Sequence, residues 1–105
     1  MIRVLVVDGD LVVAEALGHL VGRTTGFAFV GTARSGADAF SLVAELDPDL
    51  LLVGAGLPDM TGADVLATLR AVGNDAGVIL VSNPQDHGEL ATRLHQAAAD
   101  LGLPH

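Results

Sequence analysis

At 105 residues, half of them hydrophobic, the chain has room for one compact domain with a generous core. Thirteen acidic residues against five basic ones leave a formal charge of −8, which argues against nucleic-acid binding by this chain. There is no cysteine, tyrosine, tryptophan or lysine, so disulfides, thiolate metal sites, thiol nucleophiles and aromatic stacking platforms are excluded.

The chain opens with Ile2–Val7, apolar and β-branched apart from Arg3, which reads as a strand buried on both faces. Asp8 ends that run, too early for a signal-peptide core. Asp10 stands where the N-cap of a first helix belongs. Over 11–21 the apolar residues Val13, Leu17, Leu20 and Val21 share one side, and Gly22 marks the stop. A second strand is predicted over 27–30. Ser35, followed three residues on by Asp38, starts a helix over 37–46 with the stripe Ala39, Leu42, Val43 and Leu46. Asp47-Pro48 ends it. Residues 50–53 form the third strand; they are the longest later apolar run and far short of a membrane span. Thr61 with Asp64 starts a helix over 63–72, closed by Gly73-Asn74. Residues 78–81 form the fourth strand, and Asp86 with Glu89 starts a helix over 89–99. In the tail, 100–105, Asp100-Leu-Gly-Leu reads as a fifth strand that Pro104 and His105 end at once. Such alternation means a parallel sheet with helices on both faces, joined by right-handed crossovers. With no targeting or membrane segment, the expectation is a cytoplasmic protein.

In an open parallel sheet, ligands bind at the carboxyl ends of the strands. Asp8 and Asp10 follow the first strand, Gly54-Ala55-Gly56 the third, Ser82-Asn83 the fourth, and Pro104 the fifth. Read from chemistry alone, Asp8 is a solvated strand-end acid or a helix cap, with a residual cation or ligand role as the alternative. Ser82 is a hydroxyl for local backbone. His19, His87, His95 and His105 lack compact metal-ligand spacing and read as surface residues.

Four segments, Arg3-Val-Leu-Val-Val-Asp8, Pro48-Asp-Leu-Leu-Leu-Val53, Leu57-Pro-Asp-Met-Thr-Gly62 and Val78-Ile-Leu-Val-Ser82, resemble the receiver domain of bacterial two-component response regulators. The resemblance covers nearly the whole chain. It implies an α/β, doubly wound, five-stranded parallel sheet of order 2-1-3-4-5, the flavodoxin-like receiver fold, here lacking the last helix. Residues 1–105 are then one receiver-like domain, complete or cut before helix 5 and any C-terminal output domain.

The resemblance also assigns the site. A receiver holds Mg²⁺ with two adjacent carboxylates after strand one; here they are Asp8 and Gly9, with Asp10 one place late. The phosphoryl-accepting aspartate falls on Gly54 and the hydroxyl residue on Ser82. The lysine falls on Pro104 and the aromatic switch on Leu101. Glycine has no nucleophile, and one acid is too little charge for Mg²⁺. The expectation is a pseudo-receiver: no phosphorylation, no metal, no cofactor and no enzyme activity, with a role in signal transduction or transcriptional regulation through protein–protein interaction.

A missing last helix is expected to bare one set of the alternating residues Val4, Val6, Leu51 and Val53, hence a homodimer or a protein partner on that face. A second reading places a small ligand in the emptied pocket by Asp8, Gly54 and Ser82. A third compares Asp8-Gly9-Asp10 and Ser82 with haloacid-dehalogenase-like phosphohydrolases, Asp8 as nucleophile and Asp10 as acid/base. The absent threonine after Asp10, the missing later motifs and the short chain oppose it.

Overall fold

The computed structural model describes residues 1–54, 56–81, 87–100 and 102. Their order is β1 (Ile2–Val7), α1 (Leu11–Arg23), β2 (Phe27–Ala33), α2 (Gly36–Leu46), β3 (Leu50–Gly54), α3 (Gly62–Ala71), β4 (Gly77–Val81) and α4 (His87–Asp100). The strands pair in parallel, in the order β2-β1-β3-β4. Right-handed crossovers fix the faces of the first three helices. The β1-to-β2 connection runs one way across the sheet, and those from β2 to β3 and β3 to β4 run the other. So α1 lies on one face, and α2 and α3 on the opposite one.

Three of the four predicted caps form, and the fourth, Asp86, lies outside the described residues. Asp10 accepts the N–H groups of Val12 and Val13 at 2.9 and 3.3 Å, and Ser35 accepts that of Asp38 at 3.0 Å. Thr61 and Asp64 make a reciprocal capping box, both bonds 3.1 Å. Each satisfies helix-end donors that would otherwise have no partner. At the end of α2, Asp47 adopts a left-handed conformation with φ 49°, and the Arg3 guanidinium bonds the carbonyls of Leu46 and Asp47. β2 runs three residues past the predicted 27–30. Val30 is an extra residue in the register, where Val4 pairs with Phe29 and Leu5 with Gly31. Such a bulge bends an edge strand without ending its pairing.

Two expectations about the C-terminal part are corrected. The fifth strand does not form among the described residues, and the described sheet has four. Asp100 ends α4, and the Gly102 N–H bonds the Ala99 carbonyl at 3.0 Å, so neither Asp100 nor Gly102 stands in a strand. Leu101, Pro104 and the rest of the tail lie outside the described residues.

The second correction concerns the bare face. Val4, Val6 and Leu51 are 0 % exposed and Val53 is 1 % exposed. Leu90, Leu94 and Ala98 of α4 pack beside α1 on Ile2, Val4, Val6, Leu50, Leu52, Ile79 and Val81. On the other face Leu5, Val7, Leu51 and Val53 meet α2 and α3 through Ala39, Val43, Val65 and Leu69. The last described helix therefore covers the layer expected to be open, and a partner on that face loses its physical reason.

Candidate functional site

The carboxyl ends of β1 and β3 bring Asp8, Gly9 and Gly54 together. Asp8 is 4 % exposed, the buried acid of the described core. Its N–H bonds the Ala33 carbonyl at 2.9 Å, extending the β1–β2 pairing by one residue. Its Oδ1 accepts the Asp10 N–H at 2.8 Å. That bond turns the side chain inward and folds the short β1–α1 connection.

The carboxylate lies directly over Gly54. A Cβ built on Gly54 would stand 1.9 Å from Asp8 Oδ2 and 2.7 Å from its Cγ. Glycine is what lets the carboxylate occupy that volume. Gly9 is held just as closely, but by backbone. A Cβ there would stand 2.2 Å from the Gly56 carbonyl oxygen and 3.4 Å from Pro58 Cδ. Beside Gly54, a depression of about 310 Å³ is lined by Val53, Thr61, Gly62, Leu80 and Val81, an apolar wall with one hydroxyl.

The space over Gly54 is thus filled by Asp8, where the sequence suggested an emptied pocket. Asp10 is committed to the α1 N-terminus by its two N–H bonds, the capping role read from the sequence. It is not oriented as an acid/base partner for Asp8. Ser82 and Pro104 lie outside the described residues. Among the described residues, no group of three or more His, Asp or Glu side chains could hold a metal ion.

Two residues that sequence reasoning passed over complete the rim. The Arg34 guanidinium, from the β2–α2 connection, bonds the Gly9 carbonyl through Nε and Nη2 at 3.3 and 3.0 Å. It caps the loop that carries Asp8. No spacing rule flags Arg34, because its partner is a backbone oxygen 25 positions away. Asp59, inside the Leu57–Gly62 segment, accepts the N–H groups of Gly36 and Ala37 at 2.8 and 3.0 Å. It ties the β3–α3 loop to the start of α2, where the positive helix end favours an anion.

Those bonds, Gly36 first and Ala37 next, lower the Asp59 pKa below its ordinary 3.8. A lowered folded-state pKa means that its stabilising effect is complete above the unfolded value near 3.8 and is lost as pH falls through the lower folded one. Asp59→Asn should therefore be less stable than the parent at neutral pH. The gap should close in urea melts taken well below the unfolded value. An equal gap at both pH values would contradict the charge-assisted tether.

A family model described as "Response regulator receiver domain" matches residues 4–103. The chain is 38% identical over 98 residues to protein-glutamate methylesterase/protein-glutamine glutaminase 5 of Myxococcus xanthus, covering 93% of this chain and 28% of that protein. It is 46% identical over 81 residues to the DNA-binding response regulator MtrA of Mycobacterium leprae, covering 75% of this chain and 33% of the relative. It therefore spans well under half of both relatives. The signal receiver domain of an HD domain-containing protein from Pseudomonas fluorescens Pf-5 superposes with a TM-score of 0.82 at 25% identity, over 94% of this chain and 88% of that one. The response regulator domain of Thermotoga maritima CheB superposes with a TM-score of 0.77 at 22% identity, over 92% and 96%, and bears on the fold alone.

Proposed function

The chain belongs to the response regulator receiver domain family, and from that premise we propose that it is a receiver without a phosphorylation switch, a module that signals by binding. The observation that carries this reading is Gly54, at the end of β3, with the Asp8 carboxylate lying where an acceptor side chain would begin. Phosphoryl transfer to a carboxylate needs that carboxylate as nucleophile, in line and open to the donor. Gly54 offers no side-chain oxygen. Asp8 is buried, and its Oδ1 already holds the Asp10 N–H.

The counter-charges support the same reading. Mg²⁺ asks for several hard oxygen ligands in near-octahedral array. Here Gly9 stands in the place of the second acid, packed on the Gly56 carbonyl, and Asp10 serves the helix. The residues present do not fit the ion. The chain has no lysine to neutralise a phosphoryl group. The Arg34 guanidinium reaches the Gly9 carbonyl, which makes it a loop clamp.

With the switch gone, the domain acts through its surfaces. In a longer protein it would serve as a fixed docking or regulatory module for an output domain. The relatives point both to methylesterases and to DNA-binding regulators as settings for such a module.

Incubation with acetyl phosphate and Mg²⁺, followed by intact-mass measurement, should leave the mass unchanged. A hydroxylamine-labile adduct of one phosphoryl group, at stoichiometric yield, would overturn the reading.

A further inference from the structure

The end of the sheet opposite Gly54 carries a groove that the switch chemistry does not use. Between the C-terminal halves of α2 and α3, a depression of about 580 Å³ has Phe40, Val43, Leu69 and Val72 as its apolar part. Val43 and Leu69 are buried floor, whereas Val72 stands 74 % exposed on the rim. The groove runs on, through the shared residues Asp47 and Asn74, into a second depression of about 440 Å³ that also reaches Asp49 and Asp75. An apolar trough thus opens directly onto an acidic one.

The charges at the acidic end are only partly answered. The Arg3 guanidinium is held on the carbonyls of Leu46 and Asp47, and Arg70 on the Asn74 carbonyl at 2.8 Å. Asp49 accepts the Arg3 backbone N–H at 2.9 Å. The negative ends of α2 and α3 point the same way, so the field there favours a cation. A large exposed valine beside a trough of buried aliphatic side chains favours apolar contact.

We propose that this groove docks a basic amphipathic segment of a partner protein, its apolar side chains on Val72, Leu69 and Phe40 and an arginine or lysine at Asp47 and Asp75. Charge decides between occupants. A second copy of this chain, at −8 and without lysine, would bring further acid to an acidic rim. A basic segment meets both halves of the groove at once, the helix-in-groove mode of recognition. The groove lies at the other end of the sheet from Gly54, so this proposal and the phosphotransfer reading fail independently.

The test is a ¹⁵N-correlation NMR titration of the full chain with three synthetic peptides. The first places leucine and arginine on opposite faces of a short helix. The second has the same composition scrambled, and the third has glutamate for arginine. The first should bind, with shifts confined to residues around Phe40, Val43, Thr68, Val72 and Asn74. The scrambled peptide should bind at least about five-fold more weakly, and Val72→Ser should weaken the first peptide by about five- to ten-fold. Val12→Ser, at an equally exposed valine on α1, should leave it unchanged. Equal affinity for the scrambled peptide, shifts spread over the whole acidic surface, or no binding by any peptide at millimolar concentration would overturn the proposal. So would sedimentation showing that Val72→Ser dissolves a dimer, since the occupant would then be a second copy.

Discussion

Leu94→Ala should destabilise the domain by about 2–5 kcal/mol, enough to lower the melting temperature by roughly 10 °C or more. Leu94 lies on α4 and is 0 % exposed, in one cluster with Val4, Val6, Leu17, Leu52 and Ile79. Truncation removes four carbons' worth of packing less one, and the rigid sheet beneath cannot close the cavity. The cost follows from where α4 sits. A helix lying loosely on the surface would lose little, because exposed substitutions usually change stability by about 0.5 kcal/mol or less. Thr92→Ala, on the exposed side of the same helix, is the control and should change stability by no more than that. A Leu94→Ala cost as small as the control's, measured by urea denaturation, would mean that α4 does not cover the β1 face.

The second large effect separates the two glycines of the site. Gly9→Ala should cost about 3 kcal/mol, near the upper end for overpacking, because its Cβ would meet a backbone carbonyl 2.2 Å away that has no rotamer to escape into. Gly54→Asp meets a side chain instead, the Asp8 carboxylate at 1.9 Å. That carboxylate can swing aside, at the price of its bond to the Asp10 N–H. The variant should still fold, with a loss of about 1–3 kcal/mol from that bond and from two like charges brought together. Millimolar Mg²⁺ should recover part of that loss, because a cation that binds only the folded state raises the melting temperature. The parent should show no such response. Thermal melts of the parent and both variants, with and without Mg²⁺, read all of this. A Mg²⁺ response in the parent equal to that of Gly54→Asp would mean that Asp8 and its neighbours already hold the ion.

Much of this was legible in the residues. The buried strands announced themselves as apolar runs at 2–7, interrupted only by Arg3, and at 50–53, and the helices by their stripes. Asp10, Ser35 and Thr61 were readable as caps because capping is local: acceptor and donors lie within three residues. The place of α4 was not legible. Its stripe, Leu90, Leu94 and Ala98, looks the same whichever face of the sheet receives it. The crossover rule decides only for a helix that joins two paired parallel strands. No described strand follows α4, so packing alone placed it beside α1.

The site was half legible for a related reason. The residue identities at 8, 9 and 54 were enough to show the missing chemistry. They did not say what fills the space. The Asp8 carboxylate over Gly54 and the Gly9 contact with Gly56 are contacts between separate loops, invisible to any spacing rule. Asp59 and Arg34 escaped notice for the same cause. Each serves backbone groups distant in sequence, Asp59 at Gly36 and Ala37 and Arg34 at Gly9.

The reading of an inert switch is tested most directly by a crystal structure grown with beryllium fluoride and Mg²⁺, since trifluoroberyllate bonds to a carboxylate able to receive a phosphoryl group. The account predicts no such adduct, with the Asp8 side chain still resting on Gly54 and bonded to the Asp10 amide. Trifluoroberyllate bonded to any carboxylate at the carboxyl ends of the strands, beside a coordinated Mg²⁺, would contradict it.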